Sequence, residues 1–277
     1  MTKTRMITSA LLALLMTSTV AFAQQEQKPS DQPAAQTQPA EPQATPAGEA
    51  AQAEPAKEDP AVNKLVEQLV AKWKAHKSMA ADMRIDMAAE QGGQKLSVEG
   101  TGRCEIVRND DEKKVRFELT QSMKMGEGDA AMEMERKLIT VDNGTVVYTM
   151  VEQMGQKQVV KANSGEQNIP QFGGDSMFEA LRAENNLKVL PDEKVDGKDV
   201  AVIEATPRQQ NPNMRIAKSV LYFDKNIGAM VRMESFDPAG EKVQTVTFSD
   251  VKVNPELAAD RFEFEVPEGV QVIDQTG

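Results

Sequence analysis

The 277 residues contain one cysteine, one histidine, one tryptophan and two tyrosines, and aromatic side chains make up only 4% of the chain. Each scarcity removes a class of function. With Cys104 alone, no disulfide can form within the chain, so an ordinary hydrophobic core has to hold the fold. His76 and Cys104 stand far apart and establish no Cys-His dyad, and no Ser elbow is present. Metal spacing of His and Cys is missing, as is a Gly-rich phosphate loop. The acidic run Asp110-Asp111-Glu112 lacks the Gly and distal Glu of a calcium loop and reads as a solvated turn. A net charge of −11 argues against nucleic acid and against electrostatic attachment to anionic lipid. The expectation is a protein that is not an enzyme and needs no metal or cofactor.

Long apolar runs are also scarce. The one at the start spans residues 6–20, behind Lys3 and Arg5 and ahead of Ala21-Phe22-Ala23. A basic region, an apolar region and a small-x-small site make residues 1–23 a cleaved signal peptide, too short for a spanning helix. No Cys follows the site, so lipidation there is excluded and a periplasmic or secreted location is expected. Residues 24–60 are dominated by Gln, Ala, Pro and Glu and hold no branched aliphatic or aromatic side chain. Such a segment cannot bury enough apolar surface to offset its ordering entropy, and it reads as a disordered linker. Residues 61–277 remain for one β-rich domain.

Asp59-Pro60 supplies an N-cap acceptor and a Pro at the first helical position. Val62, Leu65, Val66, Leu69 and Trp73 then recur at helical spacing, predicting an amphipathic helix of about four turns ending near His76. A cation is favourable at such a helix end, which is the plain reading of His76. Period-two runs follow. Met79, Ala81, Met83, Ile85 and Met87 alternate with Ala80, Asp82, Arg84 and Asp86, and Leu96, Val98 and Cys104 alternate with polar residues, which marks Cys104 as a buried small residue. Val115, Phe117, Leu119, Met123 and Met125 continue the pattern, then Met132 and Met134. Asp142-Asn143-Gly144, Gly155 and Asp196-Gly197 are hairpin signals. Residues 175–184 read as a short helix with Met177, Phe178 and Leu181 on its apolar side. About eleven strands and two helices result, with one face of the sheet dry and the other wet.

The chain closes with strands over 219–223, 229–236 and 242–253, then Asn254-Pro255-Glu256-Leu257 and a hook, Phe262-x-Phe264-x-x-Pro267-x-Gly269-Val270. This order, with its closing hook, resembles the LolA/LolB-type periplasmic lipoprotein carriers over roughly residues 60–273. The resemblance implies a mainly β fold, an unclosed antiparallel β-barrel whose two helices act as a lid over an apolar concavity. It also implies a gate. In the family an Arg near the end of an early strand, in a pattern like V-x-R-P, contacts the lid. Here Ile106-Val107-Arg108-Asn109 occupies that place, with Asn109 departing from Pro, and Arg108 is the candidate.

Two readings compete for the dry face. Its methionines are either ordinary core or an adaptable wall for apolar ligands, since Met is flexible and polarizable and the chain holds 16. The second reading makes Met83, Ile85, Met87, Phe117, Leu119, Met123, Met132, Met134, Met150 and Trp73 the candidate cleft residues. The expected function is then a monomeric carrier of lipid or lipoprotein acyl chains, passed between membrane-bound donor and acceptor proteins. The alternatives are an envelope-stress sensor or regulator of the same fold binding a membrane partner, and a purely structural envelope protein.

Overall fold

The computed structural model describes residues 59–276, apart from 92–93, 110–111, 127, 129–130, 165–171 and 210–215. The expected signal peptide, the expected linker up to residue 58, and the acidic pair Asp110-Asp111 lie outside the described residues.

Helix α1 (Pro60–Lys74) starts where the sequence places it, with the Asp59 side chain accepting from the Ala61 N–H at 2.9 Å. Its stripe of Val62, Val66, Leu69 and Trp73 is buried. Six antiparallel strands follow: β1 (Ser78–Gln91), β2 (Gln94–Arg108), β3 (Lys113–Met125), β4 (Met132–Asp142), β5 (Val146–Gln153) and β6 (Gln156–Asn163). The turns carry the expected chemistry. Asn143 Oδ1 accepts from the N–H groups of Thr145 and Val146, and Met154-Gly155 and Asp196-Gly197 both adopt positive φ, as tight hairpins demand. Helix α2 (Asp175–Glu184) runs directly into β7 (Asn185–Val195), which is followed by β8 (Lys198–Pro207), β9 (Lys218–Asp224), β10 (Met230–Phe236) and β11 (Lys242–Val253). A last short strand, β12 (Val272–Asp274), ends the series.

All the strands join one unclosed sheet, in the order β12-β6-β5-β4-β3-β2-β1-β11-β10-β9-β8-β7. The fold class expected from the sequence holds, with twelve strands rather than about eleven. The extra one, β12, is a three-residue edge strand parallel to β6, too short to show a periodicity. The order also fixes the place of α2. It belongs to the connection from β6, next to one edge, to β7, at the other, and Phe172 and Phe178 of that connection pack into the main core.

Opposed residues of antiparallel strands share a face, so the register sorts the side chains. Met83 lies between Phe248 and Gly102, and Gly102 continues to Leu119 and Leu138. This is the inner face, where α1, Phe172 and Phe178 complete the main core. The expectation of a uniformly wet outer face is overturned. There the row Ala80, Glu105, Arg116, Val141, Tyr148 includes fully buried Ala80 and Val141, and Phe264 of the closing hook stacks on Tyr148 at 5.2 Å. The hook itself is a 3-10 turn (Ala259–Phe262) followed by extended chain rather than a further long strand. Arg261 holds it down by ion pairs to Glu105 (2.9 Å) and Glu118 (3.3 Å), and Arg116 donates to its carbonyl. Burial would push the Glu105 carboxyl up, but hydrogen bonds from Arg103 and Arg261 outweigh it and hold the group below its ordinary range.

The turn between β9 and β10 presses against α1. Gly228 has φ +70, and a Cβ there would lie 2.0 Å from the Leu69 carbonyl oxygen. Gly197 has a similar φ of +78 with open space around it. Gly228→Ala should therefore cost about 3 kcal/mol or more, through both strain and a backbone clash, and Gly197→Ala about 1 kcal/mol, through strain alone. Denaturation midpoints of the two variants check the difference.

Candidate functional site

The inner face falls into three zones along its strands. The first lies under the helices, where Met79, Ala81, Met83, Cys104, Ile106, Val115, Phe117, Leu119 and Leu138 pack with α1 into the core. The second is polar. Gln121 on β3 opposes Arg136 on β4, which opposes Gln153 on β5, while Gln244 on β11 opposes Ser235 on β10, which opposes Ser219 on β9. Gln121, Arg136, Ser235 and Gln244 are all buried. The third zone is the far end, where Met87, Val98, Met123 and Met134 form one row and Ala89, Leu96, Met125 and Met132 the next. Met87, Met123 and Met134 are half-buried there, and Met125 and Met132 are 38% and 62% exposed.

The structure therefore divides the expected cleft residues. Met83, Ile85, Phe117 and Leu119 are buried core, and Met87, Met123, Met132 and Met134 form the open methionine strip. Met150 does not join them. Its Cα partners are Ile139 and Val159, on the face opposite Leu138 and Val147, where it is 8% exposed. Residue type alone groups it with the strip, and β5 turns it the other way. A cavity of about 320 Å³ opens at this end of β4 and β5, lined by Met134 and Met154 together with Glu133, Glu135, Lys137 and Glu152.

Trp73 is 3% exposed and is the anchor of α1 rather than part of an open wall. Its ring meets Phe172 edge-on at 5.2 Å, and Phe172 stacks on Phe248 of β11 at 5.1 Å. The Arg108 guanidinium lies 5.0 Å from the Trp73 ring centroid and donates to the carbonyls of Trp73 (2.5 Å) and His76 (2.8 Å). It thus caps carbonyls at the end of α1 from the last residue of β2. Desolvation lowers the Arg108 pKa, with Asp175 opposing the shift. The helices are also tied to each other, by Lys74 to Asp175 (2.9 Å) and by Arg182 to Asn63 (2.8 Å).

His76 departs from expectation. Burial, then the nearby cations Arg108 and Lys72, lower its pKa from 6.5, so the ring favours the neutral form. The helix end does favour a cation, and Arg108 is the cation it holds. Cys104 is buried as the parity implied, and burial pushes its thiol up to about 12, far from a reactive thiolate. Among the described residues no group of three or more His, Cys, Asp or Glu could hold a metal ion, and no helix is long and apolar enough to cross a membrane.

No protein-family model and no curated protein matches the chain. Solved structures do. An uncharacterized conserved protein from Thermus thermophilus aligns at TM-score 0.46 and 11% identity, over 78% of this chain and 99% of that one. A LolA superfamily protein from Nitrosomonas europaea aligns at TM-score 0.28 and 14% identity, over 73% and 97%. The Pseudomonas aeruginosa MucA/MucB complex also aligns, at TM-score 0.41 and 18% identity, over 74% of this chain and 61% of that one.

Arg108→Leu should leave the sheet folded and lower stability by about 2 kcal/mol, since two hydrogen bonds from a charged donor are lost at a half-buried site. Hydrogen exchange should then quicken over residues 70–76 while the amides of β2 and β3 stay protected. For His76 the sign follows from the lowered pKa. Below pH 6.5 the unfolded chain takes up the proton first, so the stability present above that value is lost as the pH falls toward the folded-state pKa. The denaturation midpoint of the wild type should drop between about pH 7.5 and about pH 5.5, and His76→Gln should flatten that drop.

Proposed function

We propose that the chain is a periplasmic or secreted carrier that takes acyl chains of lipids or lipoproteins onto the inner face of its sheet. Residues 1–23 direct export, 24–60 form a spacer, and 61–277 do the binding. The observation that carries this reading is the mismatch between sheet and lid. Strand β2 has 15 residues and spans about 50 Å, whereas α1, with the same number, spans about 22 Å. Helices that short leave the methionine strip uncovered.

The need for such a protein is energetic. At about 0.8 kcal/mol per buried CH₂, a long acyl chain in water costs on the order of 10 kcal/mol. A carrier needs a surface that accepts the chain and later gives it up, and no catalysis. Thioether side chains fit irregular apolar ligands without a fixed shape, which suits moderate affinity. Arg108 acts as the gate in this reading, because it fastens the end of α1 to β2.

Mass spectrometry of gently purified protein should find co-purified lipid. Met123→Glu, which puts a charge on the half-buried strip, should weaken binding of a fluorescent acyl probe about tenfold or more with the fold intact. Unchanged probe binding together with an absence of lipid would remove the carrier reading.

A further inference from the structure

Neither a core nor an acyl wall explains the polar zone of the inner face. Its two adjacent rows can be read from the register. One runs Val246, Ile85, Gly100, Gln121, Arg136, Gln153, and the other Ser219, Ser235, Gln244, Met87, Val98, Met123, Met134. Neither contains an Asp or a Glu. Gln121 and Gln244 are each 2% exposed, and the amide nitrogen of each lacks a hydrogen-bond partner. The position opposite Gln121 gives it space, since a Cβ at Gly100 would meet its Cγ at 3.2 Å. The absent side chain at Gly100 leaves the amide room to cross β2 over the inner face. Gln244 keeps its oxygen engaged with Ser235 Oγ (3.5 Å) and leaves its N–H groups over.

These features share one chemistry. Buried N–H donors with no acceptor call for an acceptor from outside, because burying such a donor unpaired is unfavourable. Arg136 adds a buried guanidinium beside Gln121, and burial lowers its pKa. A planar cation beside an amide donor matches a carboxylate. The zone lies between the apolar core and the methionine strip, so a group bound there can lay an alkyl tail along either.

We propose that Gln121 and Arg136, with Gln244 across the face, bind the carboxylate head of a single-chain fatty acid whose tail lies on the methionine strip. This rests on the carrier reading and names its ligand class. It separates the chain from a carrier that sees only hydrocarbon, since the head would set both position and preference.

The test uses the purified chain and a neutral fluorescent probe, N-phenyl-1-naphthylamine, displaced by myristate or by methyl myristate. The two competitors share a tail and differ in the anionic head. Myristate should displace the probe at about tenfold lower concentration than the ester, in line with a charge-assisted pair. Gln121→Leu and Arg136→Met should each abolish that preference by weakening myristate far more than the ester. Gln121→Leu should also melt no lower than the wild type, because the buried amide nitrogen it removes has no hydrogen bond to lose. In the wild type, myristate labelled with ¹³C at the carboxyl should titrate at lower pH when bound than when free, and in Arg136→Met it should not.

Equal displacement by both competitors in the wild type, or equal weakening of both by Gln121→Leu, overturns the head site and leaves the carrier standing. Binding of neither competitor overturns both. Should Arg136→Met fail to fold, Gln121→Leu and Gln244→Leu still decide the question.

Discussion

The indole of Trp73 is where the separate parts of the chain are pressed together. It is carried by α1, the backbone of Gly173 and Gly174 lies against its ring, and Arg108 from the end of β2 covers it. A Cβ at Gly173 would sit 2.4 Å from the ring, so only glycine lets that segment approach. From the indole a chain of rings runs through Phe172 to Phe248, reaching β11 on the other side of β1. The position of one helix end is thereby set by both halves of the sheet at once. Contacts of this kind are individually small, and their joint effect comes from close packing, in which a shift at one ring is felt by the next.

A second constraint follows from geometry alone. A strand residue advances about 3.3 Å and a helical residue about 1.5 Å, so elements of equal length cannot cover each other. The first third of the inner face uses α1, α2 and Phe172 as its cover and is a true core. Beyond it the sheet turns polar and then methionine-rich. Ordinary cores avoid buried amides without partners, and a sheet made only to pack would have extended its apolar rows instead.

Local signals were legible and longer-range ones were not. The N-cap at Asp59, the stripe of α1, the bounds of α2 and the hairpin at Asn143 each depend on residues within one turn of one another, and the structure agrees with all of them. The inner parity of β1 to β3 was equally plain. Met150 was misplaced because residue type stood in for register, and register depends on the partner strand. The polar zone was missed although a signal existed. Gln121 has the same parity as Phe117, Leu119 and Met123, so an amide stood at an inward position of an otherwise apolar series. His76 failed for another reason. Its environment is made first by burial and then by Arg108, 32 residues further along, and no local rule could supply either. The cover on the outer face needed the same kind of knowledge, since Arg261 meets Glu105 across 156 positions.

Under the proposed reading, the question of which part moves has an answer in the distribution of ties. Spreading the strands would break ladder hydrogen bonds along residues 78–125, and it would also break the outer-face network. Arg103 spans Asp82 and Glu105, and Arg261 spans Glu105 and Glu118, so β1, β2 and β3 are bridged on the side away from the ligand. Ion pairs at exposed sites contribute little singly, and a network sharing buried Glu105 contributes more. The helices are tied differently. Lys74–Asp175 and Arg182–Asn63 join them to each other and survive a joint displacement, whereas the Arg108 contacts at the end of α1 do not. Lifting the pair costs the burial of the α1 stripe, a cost that a tail lying on the methionine strip alone does not incur. The braced sheet is then the fixed half of the proposed cleft, and the two helices are the half that can lift where a longer cargo needs more of the inner face.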